Sequence, residues 1–259
     1  MQAVPTVPTA PIAFGIDIGG SGIKGAPVDL ATGNLLTERK RIPTPEHSTP
    51  EAVAEICERV LAFFELPADT PVGVSLPAPI RYGEVLFMAN LHQSWKGVNA
   101  DQLMTASLGR PVSTVNDADA AGYAEVAYGA ARNQLGTVIV TTLGTGIGSA
   151  LIVDGVLVPN TELGHLEIDG HDAESRASSA AKEREGLTYG KWAKRLTRYY
   201  SVLEMLFSPD LFVVGGGVSR EHEEFLGLIK VRTPLVPAAL RNSAGIVGAA
   251  RLAAPSHSS

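Results

Sequence analysis

The stretch Phe14-Gly15-Ile16-Asp17-Ile18-Gly19-Gly20-Ser21-Gly22-Ile23-Lys24-Gly25 constrains the chain most. An apolar run reaches a single carboxylate, passes through glycines and a hydroxyl, and continues to a lysine. The pattern predicts strand, tight turn and strand, with Gly19 and Gly20 at the tip. Glycines there remove the side chains that would keep an anion off the backbone N–H groups. Ser21 adds a hydroxyl donor, Lys24 a mobile positive charge, and Asp17 an anchor for Mg²⁺ or its waters. An ordinary glycine hairpin has the same local pattern, so both readings stay open on this stretch alone. No Gly-Lys-Ser/Thr closes the turn and no helix follows, which excludes a Walker A loop. The spacing and the strand after the turn also exclude a dinucleotide fingerprint.

With 259 residues the chain can bury a large core and divide into two modest domains sharing a cleft. Its composition, 45% hydrophobic and 19% charged, is that of a soluble globular protein. A formal net charge of −6 argues against a general nucleic-acid binder but permits a local basic patch. Cys57 is the single cysteine, which excludes a disulfide framework and a cysteine zinc cluster. Residues 1–11 lack the basic start of a signal peptide and the long apolar core of a membrane span. The expectation is a cytoplasmic protein with flexible tails at 1–11 and 255–259.

Residues 33–42 read as a further strand, and Ser48-Thr49-Pro50-Glu51 as a capped helix start. That helix has an apolar face of Val53, Ile56, Val60 and Phe63, with Cys57 beside it as a buried thiol. A short strand runs into Ser75-Leu76-Pro77-Ala78-Pro79, where prolines hold an extended loop. A hairpin at 82–88, a loop at 89–95, a helix capped by Asp101 and ended by Gly109, and a strand at 112–115 follow. Asn116-Asp117 opens an alanine-rich helix over 118–132. Strand 137–143, the turn Gly144-Thr145-Gly146-Ile147-Gly148 and strand 149–153 repeat the opening motif. A helical tract over 180–207, a strand at 211–214 opening into Gly215-Gly216-Gly217, and helices near 220–231 and 243–253 complete the chain. The repeat suggests a duplicated architecture. We expect a small domain over 12–115, a larger one over 116–242, and a C-terminal helix, 243–254, returning to the first.

A phosphate held between two lobes needs donors from both, and each glycine turn supplies amides and a hydroxyl. Asn116-Asp117 by itself reads first as a helix N-cap. The functional alternative makes Asp117 the base that accepts the proton of an attacking hydroxyl, with Asn116 holding a neighbouring hydroxyl. Phosphoryl transfer has a loose transition state, so an ordinary carboxylate pKa suffices. Glu162 and His165 could begin a metal site, but no cysteine or second close histidine completes a shell. They suit a sugar better, since a carboxylate accepts from vicinal hydroxyls and a neutral histidine both donates and accepts.

The ordered set Asp-x-Gly-Gly-Ser-x-x-Lys, Asn-Asp, Leu-Gly-Thr-Gly-x-Gly, Glu-x-Gly-His and Gly-Gly-Gly resembles the ROK family of sugar kinases and transcriptional regulators, from about Ala13 to Ala253. Ser75-Leu76-Pro77-Ala78, the loop Asn90…Ser94-Trp95-Lys96-Gly97 and Glu162-Leu163-Gly164-His165 look most like its polyphosphate-dependent glucokinases. The resemblance implies an α/β, two-domain, actin-like (ribonuclease H-like) sugar kinase fold with a ligand cleft between the domains. It implies Mg²⁺-dependent phosphoryl transfer from inorganic polyphosphate, ATP or both to the 6-hydroxyl of glucose, with mannose a further acceptor. The assembly expected is a monomer or homodimer without nucleic-acid or membrane partners. Asp117 becomes the base and Asp17 the Mg²⁺-side carboxylate. Asn90, Asn116, Asp117, Glu162 and His165 become sugar ligands, with Glu174 a further one. Gly19, Gly20, Ser21, Lys24, Gly144, Thr145 and Gly146 meet phosphates, and Gly215 and Gly216 a nucleotide.

Two rival readings are a sugar-sensing protein without catalysis and an ATP-only kinase for another hexose or amino sugar. Many family members carry a cysteine-rich zinc motif after Gly-His. Residues 170–175 have none, so no structural zinc is expected. The stretch before Ala13 leaves no room for the helix-turn-helix of the regulators. Arg176, Lys182, Arg184, Lys191, Lys194, Arg195 and Arg198, against Glu183 and Glu185, concentrate positive charge. This is either a solvated helix face or a track for a polyanion, and the resemblance favours the track.

Overall fold

The computed structural model describes residues 11–254; the tails expected at 1–11 and 255–259 lie outside them but for Pro11. Strands β1 (Ile12–Gly19) and β2 (Gly22–Asp29) form the opening hairpin, with Asp17 opposite Lys24 and Ile18 opposite Ile23. Phe14, Ile16, Ile18 and Ile23 are fully buried, which places the hairpin inside a sheet. The strand expected over 33–42 is only β3 (Lys40–Ile42), preceded by one bridge from Leu35 to Val28. Gly33 turns the chain in the left-handed region, and exposed residues 36–39 have no face to bury. Helix α1 (Pro50–Ala62) starts on the Thr49 side chain, which accepts from Ala52 N, and buries Val53, Ile56, Cys57 and Val60. Phe63, expected on that face, is the C-cap and largely exposed.

Strand β4 (Val72–Leu76), a ribbon of β5 (Ile80–Arg81) and β6 (Glu84–Val85), helix α2 (Ala100–Leu108) and strand β7 (Val112–Asn116) follow. Asn99, not Asp101, caps α2. Asp101 instead ties the helix to the sheet, accepting from Thr114 N at 2.7 Å and its hydroxyl at 2.6 Å. The first sheet has the order β3-β2-β1-β4-β7. Because β1, β4 and β7 run parallel, Gly19, Leu76 and Asn116 end at one edge. Ligands of α/β sheets gather at that carboxyl edge.

Helix α3 (Asp117–Tyr128) leads into β8 (Thr137–Leu143), β9 (Ile147–Val153) and β10 (Val156–Val158). The helix expected to reach 132 stops at Tyr128 because buried Glu125 captures the N–H of Ala130 at 2.7 Å and those of Ala239 and Leu240. The ribbon β11 (Glu167–Ile168) and β12 (His171–Asp172) turns at Asp169-Gly170, both at positive φ. After α4 (Ala173–Ala177), the tract expected as one helix over 180–207 is two, α5 (Ser179–Arg184) and α6 (Tyr189–Phe207). Left-handed Gly186 and the Thr188 cap separate the last two. After β13 (Leu211–Gly215), the helix expected near 220–231 is two short 3₁₀ turns, Gly217–Glu224 and Leu226–Leu228. Arg220 to Glu224 offers no apolar stripe to hold a helix, and Phe225 is pinned against Trp192 at a ring distance of 4.8 Å. Strand β14 (Leu235–Pro237), not foreseen, closes the second sheet in the order β10-β9-β8-β13-β14.

Helix α7 (Ala244–Ala253) lies on β1 and β4, α3 lies on β8 and β9, and the two helices pack together between the sheets. Their backbones approach closely. A Cβ on Gly15 would overlap the carbonyl of Ile246, on Gly73 that of Ala249, and on Gly248 that of Ala120. Among the described residues no helix is long and apolar enough to cross a membrane.

Candidate active site

The carboxyl edge of the first sheet and the β8–β9 turn of the second enclose a cleft of about 570 Å³. Gly19, Gly20 and Ser21 line it from the first hairpin, and Gly144, Thr145 and Gly146 from the second. The first tip is tied down by Thr44 Oγ1 donating to Gly19 O at 2.5 Å and by Arg41 donating to Ser21 O at 2.7 Å. The second is tied by the Ser179 hydroxyl and Ala180 N–H, both donating to Gly144 O. Gly216 lines the cleft, while Gly215, Asp17 and Lys24 are not among its lining residues. Lys24 Nζ lies 3.1 Å from Asp17 Oδ2, and the Ser75 hydroxyl donates to Asp17 Oδ1 at 3.1 Å.

Asp117 is the first residue of α3 and lines the cleft. Its Oδ1 accepts from Ala118 N at 2.8 Å. Burial, then the charge of Asp17, raise its pKa to about 7, above the ordinary carboxylate value that would suffice for a loose transition state. Asn116 does cap α3, its Oδ1 accepting from Ala118 N at 2.8 Å and Asp119 N at 3.1 Å. The cap consumes the carbonyl end, so only the amide nitrogen remains to meet a ligand. The structural and functional readings of this pair are therefore compatible.

Asn90, Glu162, His165 and Glu174 line the same cleft. Fully buried Trp95 anchors the Asn90 loop, its indole N–H donating to Ser48 O at 3.0 Å. Burial raises the Glu162 pKa, and Glu174 adds to the rise while His165 opposes it. Glu174 accepts from Ile147 N at 2.9 Å, which joins α4 to the glycine turn. His165 Nδ1 lies 2.9 Å from Asp172 Oδ2, leaving Nε2 free to meet a ligand. That bond raises the histidine pKa. Asp172 escaped the sequence reading. Its only local signal is an Asp-Gly hairpin turn that brings it back beside His165.

Asp17 and Asp117 are near enough for one charge to raise the other's pKa, and Lys24 is the cation bonded to Asp17. Two hard oxygen donors with surplus negative charge fit Mg²⁺. His165, Asp172 and Glu174 also offer ligand atoms within 4.8 Å of one another. The bonds to Ile147 and between His165 and Asp172 already account for that cluster.

The basic segment divides. Arg195 makes two bonds to Glu185, at 3.0 and 2.6 Å, and Arg198 two to Asp169, at 2.9 and 2.7 Å. Arg195 and Arg198, with Asp169, Arg176 and Lys194, border a separate recess of about 400 Å³ that Ala173 and Ala177 of α4 also line. Lys182 instead borders a recess with Gly144, Thr145 and Gly217, its Nζ 4.2 Å from the Tyr189 ring centroid.

The sequence model of the ROK family matches residues 13–186. A polyphosphate glucokinase of Mycobacterium tuberculosis (strain CDC 1551 / Oshkosh) is 50% identical over 247 residues, 95% of this chain and 92% of that protein. The crystal structure of an inorganic polyphosphate/ATP-glucomannokinase from Arthrobacter sp. strain KM matches with a TM-score of 0.88 and 56% identity, over 92% of this chain and 96% of that one. A ROK family glucokinase from Streptomyces griseus, in complex with glucose and AMPPNP, shares the fold with a TM-score of 0.77 and 23% identity, over 93% and 99% of the two chains. Two glycine hairpins facing one cleft and agreement along nearly the whole length lead to one conclusion: this chain belongs to the ROK family, with the actin-like α/β fold of its sugar kinases.

Proposed function

We propose that this chain is a polyphosphate/ATP-dependent glucokinase, transferring a phosphoryl group to the 6-hydroxyl of glucose and, as a second acceptor, mannose. The observation that carries the reading is Asp117, a carboxylate raised to about 7 in a cleft also lined by both glycine turns. The similarity to relatives named for polyphosphate and ATP supports the choice of donors.

In this mechanism Glu162 and Glu174 accept from sugar hydroxyls, and Asn90, the amide nitrogen of Asn116 and His165 Nε2 complete the hydroxyl contacts. The 6-hydroxyl donates to Asp117. Its oxygen attacks the terminal phosphorus, the P–O bond to the rest of the donor breaks, and the shortened polyphosphate or ADP leaves with that electron pair. Asp117 takes the proton, and a pKa near 7 balances its ionisation against its basicity at neutral pH. Backbone N–H groups of the two turns, with Ser21 and Thr145, meet the phosphoryl oxygens as charge spreads over them. Asp17 would hold Mg²⁺, which when bound neutralises charge on the donor phosphates. Gly216 borders the space for a nucleotide. The chain would act in the cytoplasm as a monomer or homodimer, with its two sheets as domains hinged near Asn116.

The test is a coupled assay of glucose, mannose, fructose and N-acetylated amino sugars against ATP and polyphosphate with Mg²⁺ present. Turnover of glucose with both donors is expected. No turnover of any hexose would overturn the kinase reading, and glucose binding without turnover would favour a sugar sensor.

A further inference from the structure

Asn160 stands in the left-handed backbone region, φ 61°, two positions before Glu162. Its carboxamide pairs with one peptide unit in both directions. Ile80 N donates to Asn160 Oδ1 at 2.7 Å, and Asn160 Nδ2 donates to Ile80 O at 2.8 Å. Its own backbone N–H donates to Asp119 Oδ2 at 2.7 Å. Asp119 is 1% exposed, and its Oδ1 is buried without a partner. Three pieces of the cleft thus meet at one residue. Ile80 continues the wall Pro77-Ala78-Pro79 from the first sheet, Asn160 leads into the Glu162 loop of the second, and Asp119 sits in the first turn of α3 with Asp117. Neither Asn160 nor Asp119 lines the cleft.

We infer that Asn160, clasped between Ile80 and Asp119, is a positioning residue that fixes Glu162 and the Pro77–Pro79 wall at one separation across the cleft. This rests on reading the cleft as a sugar site. A carboxamide offers donor and acceptor in one planar fork, so pairing with a whole peptide unit sets orientation as well as distance. Asparagine also tolerates the left-handed backbone better than most residues. The joint carries two local costs, a non-glycine residue at positive φ and a buried carboxylate with one oxygen unpaired. Both persist because the surroundings over-determine them, and those surroundings are the acceptor side of the cleft. Glu162 is carried on a two-residue arm from the clasp, so losing the clasp moves a sugar ligand rather than a distant surface. A misplacement of about 1 Å at such a group lowers rates by roughly 10²-fold.

The discriminating variant is Asn160→Gly, which keeps the left-handed backbone and the N–H to Asp119 and deletes only the pairing with Ile80. We expect kcat/KM for glucose to fall by roughly 10- to 100-fold with either donor, while KM for ATP stays within about twofold. Hydrogen exchange of the full-length protein should show faster exchange at Ile80 than in the wild type, independent of any activity. Unchanged glucose kinetics, with or without a lower Tm, would make the clasp a structural joint and overturn the proposal. If Asn160→Gly does not fold, Asn160→Asp keeps the acceptor for Ile80 N, loses the donor to Ile80 O, and is judged by the same criteria. Asp119→Ala should lose glucose kcat/KM in the same way, and Asp119→Asn, which still accepts the Asn160 N–H, should restore most of it. A wild-type protein that turns over no hexose would sink the kinase reading itself. The exchange experiment would still decide whether the clasp exists.

Discussion

Asp117 titrates near 7 chiefly because the cleft shields it from water, with the charge of Asp17 second. This shift has a sign for stability as well as for chemistry. An acid whose folded pKa lies above its unfolded value binds more protons folded than unfolded between the two, here from 3.8 to about 7. Stability therefore falls as pH rises through that window. Asp117→Asn removes the ionisable group while keeping its size. We expect kcat to fall by roughly 10²-fold or more, with sugar affinity less affected. The same variant should be more stable than the wild type at pH 8, by roughly 1–3 kcal/mol, a range kept below the full shift because Asp117 is only partly buried and keeps some contact with water. The gain should vanish toward pH 4, measured by denaturant melts across the range. A residue that only capped α3 would give the opposite pattern, lower stability and unchanged turnover.

At the scale of elements, function depends on how closely α3 and α7 approach. Gly248 sits where a Cβ would overlap the carbonyl of Ala120, one turn from Asp117. Gly248→Ala must separate the helices, at a cost of about 1–3 kcal/mol or more, and should lower kcat in the molecules that remain folded. Equilibrium denaturation with kinetics on the folded fraction checks both. Helix α6 tells a different story about charge. Its four cations share one helix face by spacing, but Arg195 and Arg198 are held by Glu185 and Asp169. Lys182 instead borders a recess shared with Gly144 and Thr145 of the second glycine turn. Lys182→Gln should raise KM for polyphosphate several-fold and leave KM for glucose unchanged, and the polyphosphate KM should rise with salt. Arg198→Gln should leave both constants near wild type. Steady-state kinetics with the two variants separates a donor contact at Lys182, on α5, from a solvated face at Arg198, on α6.

The whole molecule places its chemistry between two sheets, so a ligand in the cleft touches both. Anything that binds the folded state alone adds RT ln(1 + [L]/Kd), about 2.7 kcal/mol at a hundredfold excess over Kd. Glucose without any donor should therefore raise Tm in a concentration-dependent way, read by thermal melts, and Glu162→Gln should blunt the rise. On the proposed function the glycine turns bind polyphosphate, so polyphosphate alone should raise Tm independently.

Much of this site was legible because its parts are contiguous in sequence. The turns at Gly19–Ser21 and Gly144–Gly146, the pair Asn116-Asp117 and the pair Glu162 and His165 each announce their chemistry by residue type at short spacing. The sheet hairpins followed from the same local pattern. Tertiary structure alone decided the rest. Glu125 ended α3 by reaching residues more than a hundred positions away, and carboxylates from other elements neutralised cations that look free along α6. The pairing of Asn160 with Ile80 has no trace in the sequence, because it joins segments of different sheets. The pKa of Asp117 was equally hidden. Sequence determines that a carboxylate stands at the head of this helix; burial and neighbouring charge, which exist only once the sheets have closed around it, decide when it holds a proton.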